Sequence, residues 1–206
     1  MIGIYGGTFN PIHYGHLRTA TEVHELFALQ ELRFLPCSLP AHRENPSVTA
    51  EMRLEMVQIA INDYPQLQLD AREINRAGVS YMVDTLAELY TELTDVPIVL
   101  FMGADAFNGL STWHRWQELF NYAHIVVMTR PQFVPDALPS FYNDKLVTMR
   151  DSLKSCLSGK IFFQKVRDLD ISATNIRHAF IEYKNPSFLL PEPIIEYIRA
   201  HNLYSA

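Results

Sequence analysis

MIGIYGGTFNPIHYGHLRTA, residues 1–20, runs from an apolar stretch through a glycine pair to two histidines three residues apart. Residues 2–5 read as a buried strand, which Gly6 and Gly7 end. A helical pattern starts near Tyr14. Leu17, Ala20, Val23, Leu26 and Phe27 then recur at three- and four-residue steps, the mark of one buried face. A glycine turn running into a helix N-terminus presents N–H groups and the positive end of the helix dipole, which suits a phosphate. His13 and His16 are one helical turn apart and face the same way. An imidazole donates a hydrogen bond to a phosphate oxygen and carries positive charge when protonated. The pair also matches the spacing of two zinc ligands, but no third cysteine or carboxylate sits at suitable spacing.

Downstream, strand and helix patterns alternate. Strands are expected at Leu32–Cys37, Leu67–Asp70, Pro97–Gly103, His124–Thr129 and Lys160–Val166. A helix over Thr49–Ile61 should turn Met52, Met56, Ile59 and Ala60 inward. Ser80 reads as the cap of a third helix, and STWHRWQELF as a helix capped near Ser111. Ser172 opens another helix, and a final one carries Pro193 in its first turn. SLPAHRENPS is polar, contains two prolines and reads as a loop, and residues 132–158 read as a surface excursion. The alternation predicts an α/β fold, a doubly wound parallel sheet with helices on both faces, as a single domain over residues 1–206. Ligands of such sheets bind beyond the carboxyl ends of the strands, where strand order reverses.

Composition narrows the function classes. A net charge of −6 argues against sequence-independent nucleic-acid binding, which needs a basic surface, yet leaves room for a local positive cleft. No apolar run approaches the roughly 20 residues of a membrane span, so no membrane partner is expected. The N-terminus lacks a basic segment followed by an apolar stretch, so no signal peptide is expected. Cys37 and Cys156 form no CxxC pair and read as thiols in a reducing cytoplasm.

ISATNIR, Ile171–Arg177, is a second helix start of phosphate type. Ser172 and Thr174 bring hydroxyls and N–H groups, and Arg177 a two-pronged cation. GGTFNPIHYGH resembles the fingerprint of the nucleotidyltransferase superfamily, whose core is HxGH, and ISATNIR resembles its ISSTxIR motif. The likeness to the nicotinate-nucleotide adenylyltransferase family extends along nearly the whole chain. It takes in PAHR (Pro40–Arg43), SYMVDTL (Ser80–Leu86), GADAF and STWHRW (Gly103–Trp116), Arg130-Pro131 and the tail LLPEPIIEYIRAHNLY.

The resemblance implies a Rossmann-like nucleotidyltransferase fold. It also implies transfer of the adenylyl group of ATP to nicotinate mononucleotide, with Mg²⁺, in NAD biosynthesis. It assigns His13, His16 and Arg177 to catalysis at the polyphosphate. Gly7, Thr8, Phe9, Gly103, Asp105, Ser172 and Thr174 would meet ATP, with Asp105 on a ribose. His42, Arg43, Trp113, His114 and Arg130 would serve the acceptor: Arg43 on its phosphate, Trp113 stacked on the pyridine ring, and a helix start at Trp113 and His114 on the nicotinate carboxylate. Five positions in four places depart from the family. Asn10 replaces an aspartate, PAHR a proline-proline-histidine-lysine, Met82 a threonine and Ala173 a serine. A nicotinamide mononucleotide or phosphopantetheine adenylyltransferase and a non-catalytic nucleotide sensor on the same fold are the competing readings.

Overall fold

The computed structural model describes residues 1–40, 46–76, 78–129, 139–167 and 169–205. In chain order its strands are β1 Ile2–Gly7, β2 Glu31–Pro36, β3 Leu39–Pro40, β4 Leu67–Leu69, β5 Val79–Ser80, β6 Ile98–Gly103, β7 His124–Thr129 and β8 Ile161–Lys165. The helices are α1 Tyr14–Phe27, α2 Ala50–Ile61, α3 Arg72–Asn75, α4 Met82–Glu92, α5 Ala104–Asn108, α6 Leu119–Tyr122, α7 Ala173–Ile181 and α8 Glu192–Ala200.

Six strands form one parallel sheet in the order β4-β2-β1-β6-β7-β8. Apolar residues on both faces of β6 explain its central place, since a parallel strand is covered on both sides. Val99 and Phe101 pack into a core with α1, α2, α7 and α8. Ile98, Leu100 and Met102 pack into the other, with α4, α5 and α6. Chain order reverses between β1 and β6, which pair from Ile2↔Ile98 to Tyr5↔Phe101. The segments leaving these two strands diverge there and open a crevice.

Several expectations needed correction. On α2 the buried residues are Arg53, Met56, Val57, Ala60 and Ile61, with Met52 and Ile59 only partly covered. Ser80 caps nothing. Its Oγ accepts from the Ser38 N–H at 2.9 Å, and α4 starts from Tyr81. Within the expected loop, Leu39–Pro40 pairs with Val79–Ser80 as a two-stranded sheet. STWHRWQELF is not one helix. It splits into 3₁₀ turns at Leu110–Thr112 and Trp116–Glu118 and the short α6, with Trp113 extended and Arg115 left-handed at φ 50°. Tertiary contacts outweigh its helical period: Arg115 bonds both Asp84 and Glu118, and Trp116 packs edge-on against Phe141.

The segment read as a surface excursion contributes to the core within its described part. Tyr142 and Leu153 are buried, and Val147 and Lys145 bond to Ile161, covering the start of edge strand β8. No helix among the described residues is long and apolar enough to cross a membrane. Phe101 is 1% exposed and lies edge-on to Phe27 of α1, ring centroids 5.2 Å apart. Phe101→Ala should therefore lower stability by about 3–5 kcal/mol in urea unfolding. A loss below about 1 kcal/mol would mean that α1 is not anchored to β6 through this ring.

Candidate functional site

The site grows from the end of β1. A Cβ on Gly7 would lie 2.9 Å from the Phe9 ring, so only glycine lets the turn fold back over that ring. Phe9 itself is left-handed at φ 46°, and its buried ring lies 5.1 Å from that of His16. His13 occupies the N-cap of α1 and makes no side-chain capping bond, where Ser, Thr, Asp or Asn is usual. No acidic residue stands in the first turn. The Leu189 carbonyl takes the Tyr14 N–H at 3.0 Å, but no side chain neutralises the positive end of the helix.

Gly15 explains the spacing of the histidines. A Cβ there would come within 2.9 Å of the His13 ring. Without one, the two imidazoles stack with centroids 3.7 Å apart and planes 25° apart. The Nδ1 atoms of both rings are buried and have no partner among the described residues. Burial lowers the His13 pKa from 6.5 to about 4. Burial, and secondarily the neighbouring His13, holds His16 well below its usual range. Both rings are neutral near pH 7, each with one N–H to donate.

Two adjoining cavities meet at the switch point. The larger, about 670 Å³, is lined by Gly7, Thr8, Phe9, Asn10, His13, His16, Gly103, Asp105, Ser172, Thr174 and Arg177 among others. The smaller, about 370 Å³, is lined by Cys37, Glu73, Ser80, Tyr81, Met82, Val83, Trp113 and His114 among others. Gly6, Gly7, Thr8, Gly103 and Asp105 belong to both. All ten residues that the resemblance gives to catalysis and ATP thus face one cavity. Trp113 and His114 face its neighbour. His42, Arg43 and Arg130 lie outside the described residues.

Arg177 reaches the larger cavity from the first turns of α7. Its Nη1 donates to the Asn10 carbonyl at 2.9 Å and its Nη2 to the Thr174 hydroxyl at 3.2 Å. Asn10 is held from the far end of the chain, because the Tyr204 hydroxyl donates to its Oδ1 at 2.5 Å. The Ser172 Oγ caps α7 by accepting from the Asn175 N–H, which leaves its own O–H to donate. Asp105 is exposed in the first turn of α5 and is not the residue that caps it.

One site expectation is overturned. No helix begins at Trp113 and His114, and the Trp113 N–H is spent on the Leu110 carbonyl at 3.0 Å. The helix that starts beside the smaller cavity is α4, whose Met82 and Val83 line it. The first N–H groups of a helix have no partner within it.

Four further residues escaped the sequence reading. Arg53, Glu73, Cys37 and Tyr204 each line a cavity or hold a residue that does. Burial pushes the Glu73 carboxyl up, although it accepts from the Thr85 hydroxyl at 2.8 Å. Arg53 left a usable signal, an arginine three and four residues before the inward Met56 and Val57.

A model of the cytidylyltransferase-like family matches residues 4–179. A Methylococcus capsulatus protein described as "Probable nicotinate-nucleotide adenylyltransferase" is 45% identical over 209 aligned positions, covering 100% of both chains. A Pseudomonas aeruginosa protein with the same description is 43% identical, covering 100% of this chain and 97% of its own. Among solved structures, a Plasmodium falciparum nicotinic acid mononucleotide adenylyltransferase complexed with NaAD superposes with a TM-score of 0.75. It is 18% identical and covers 98% of this chain and 96% of its own, a likeness of fold.

The depressed His13 pKa makes a stability prediction. Between pH 6.5 and about 4 the unfolded chain binds a proton that the folded chain refuses. Stability from this group is fully present above pH 6.5 and is lost as pH falls through that window. The loss amounts to about 3 kcal/mol. His13→Gln should flatten the dependence of urea-unfolding stability on pH across this range. Parallel curves for the two proteins would show that His13 is not the titrating group.

Proposed function

This chain belongs to the nicotinate-nucleotide adenylyltransferase family, and from that premise we propose that it transfers the adenylyl group of ATP to nicotinate mononucleotide. The products are nicotinate adenine dinucleotide and pyrophosphate. The observation that carries the reading is the meeting of two unlike cavities at one glycine turn. One is rich in hydrogen-bond donors, and the other is walled by Met82, Trp113 and Tyr81.

A phosphate oxygen of the mononucleotide attacks the α-phosphorus of ATP. The bond from that phosphorus to the bridging oxygen breaks, and pyrophosphate leaves with the electron pair. The attacking group is already an anion, so no side-chain nucleophile and no strong base are required. Catalysis reduces to alignment and to neutralising charge that grows on the leaving group. His13 and His16 donate to the polyphosphate, and its approach favours their protonated forms. Arg177, Thr174 and Ser172 hold the outer phosphates. Gly7, Thr8 and Phe9 meet the nucleotide through main chain, and Asp105, at the border of both cavities, takes ribose hydroxyls.

On the acceptor side Trp113 offers a flat apolar wall to the pyridine ring. The open start of α4 at Met82 and Val83 favours the anionic carboxylate of nicotinate over a neutral amide. Met82 has no hydroxyl for this pocket. Its methyl instead packs over Gly6, 2.6 Å from where a Cβ on that glycine would stand.

Magnesium comes with ATP. No cluster of three or more metal-ligating side chains stands among the described residues, and Mg²⁺ held mainly by substrate phosphates and water needs none. Both cysteines are free thiols, which suits the reducing cytoplasm where we place the reaction.

Pyrophosphate release from ATP and Mg²⁺ should be strong with nicotinate mononucleotide and weak with nicotinamide mononucleotide. Equal use of both would keep the chemistry and remove the α4 carboxylate site. Release with neither would defeat the reading. His16→Ala should lose about 10²–10³-fold in kcat while folding normally and binding the mononucleotide. Near-wild-type turnover would contradict the role of the pair. Chelation followed by dialysis should leave a protein that regains full activity on adding Mg²⁺ with ATP, and a lasting loss of activity would point to a resident metal.

A further inference from the structure

Arg53 is the largest fully buried side chain of the molecule among the described residues, 1% exposed. Its fork reaches two loops. Nη1 donates to the Thr8 carbonyl at 2.6 Å, and Nη2 donates to the carbonyls of Cys37 and Ser38, each at 2.8 Å. Thr8 follows β1 and lines both cavities, and Cys37 follows β2 and lines the smaller one. The same two loops meet again where the Cys37 N–H donates to the Gly7 carbonyl at 3.0 Å.

All three acceptors of Arg53 are neutral carbonyls, and its Nε has no partner among the described residues. A buried guanidinium with no carboxylate within ion-pair distance among the described residues is costly; Glu51, which feels its charge, is exposed in the first turn of α2. Packing alone would be served as well by an apolar side chain of similar volume. What that side chain would not supply is a fork that spans two loops and a full charge behind the polyphosphate turn. The field of this charge extends to the Tyr204 hydroxyl. Burial pushes that phenol up, while Arg177 and Arg53 both pull it down. Two cations therefore converge on the Asn10–Tyr204 pair beside the larger cavity.

Resting on the adenylyl-transfer reading, we propose that Arg53 is a positioning residue of this site. It locks the turn that meets ATP to the loop that borders the acceptor, and the bound polyphosphate balances its charge. The fork sets the relative placement of the two substrates, so it acts on turnover. The charge acts on ATP affinity.

Two substitutions separate these roles. Arg53→Lys keeps the charge and loses the planar fork. Arg53→Met loses both, and Arg53→Gln replaces it if that variant fails to fold. Thermal melting and circular dichroism establish the folded fraction, calorimetry with MgATP gives affinity, and single-turnover kinetics gives the chemical step. Arg53→Lys should bind ATP within about threefold of wild type and lose about 10²-fold in the chemical step, since small misplacements of reacting groups have effects of that size. Arg53→Met should lose the same and bind ATP about tenfold more weakly. A residue that only stabilises the fold would lower the folded fraction and leave ATP affinity and the rate per folded molecule unchanged. That result would overturn the proposal. A wild-type rate in Arg53→Lys would overturn the fork, and equal ATP affinity in Arg53→Lys and Arg53→Met would overturn the charge. Should wild type release no pyrophosphate, the adenylyl-transfer reading fails, while the three ATP affinities still test the charge.

Discussion

Two neutral imidazoles stacked at the start of α1, which no side chain caps, set the terms for the rest of the molecule. The stack needs Gly15, because a side chain there would occupy the space of the His13 ring. It needs burial, which keeps both rings uncharged and so lets them lie 3.7 Å apart without mutual repulsion. And it leaves the helix N-terminus without a side-chain cap, with the Leu189 carbonyl meeting only the Tyr14 N–H. Each of these costs stability in the free protein, and under the proposed adenylyl transfer a bound anion offsets each.

The sheet puts that helix start where an anion can arrive. Divergence of the chain at β1 and β6 opens two cavities with a shared border, one lined by donors and the other largely apolar. The border is tied by more than its own Cys37–Gly7 main-chain bond. Arg53 fastens it from α2, and Tyr204 fastens Asn10 from near the end of the chain. Asn10 in turn orients Arg177. Residues scattered over about two hundred positions therefore fix one wall of the larger cavity.

Much of this was legible in the sequence. Periods of two and of three to four residues separate strands from helices, so the parallel α/β layout could be read. The GGTFNPIHYGH and ISATNIR strings hold just over half of the residues that line the donor cavity, since a helix start is built from local chain. The acceptor side was harder, because it is assembled by tertiary contacts. Trp113 and Trp116 keep a helical spacing, yet Arg115 and the ring cluster around Phe141 break that segment, so the expected carboxylate site at Trp113 does not form. The opening helix there is α4, whose start Ser80 was wrongly expected to cap. Arg53 and Tyr204 were missed for a similar reason: the partners of Arg53 lie 15, 16 and 45 positions away and that of Tyr204 194, beyond any local pattern.

The central claim is that the stacked histidines are neutral in the free protein and gain charge when a polyphosphate binds. Nuclear magnetic resonance titration of the His13 and His16 rings tests it directly, with and without a non-hydrolysable ATP analogue. In the free protein His13 should titrate near pH 4, with His16 also well below its usual range. With the analogue bound, both should move up by at least a unit, because an opposite charge within hydrogen-bonding reach favours the protonated form. Titration curves that do not move on binding, or free histidines that titrate near 6.5, would contradict the account.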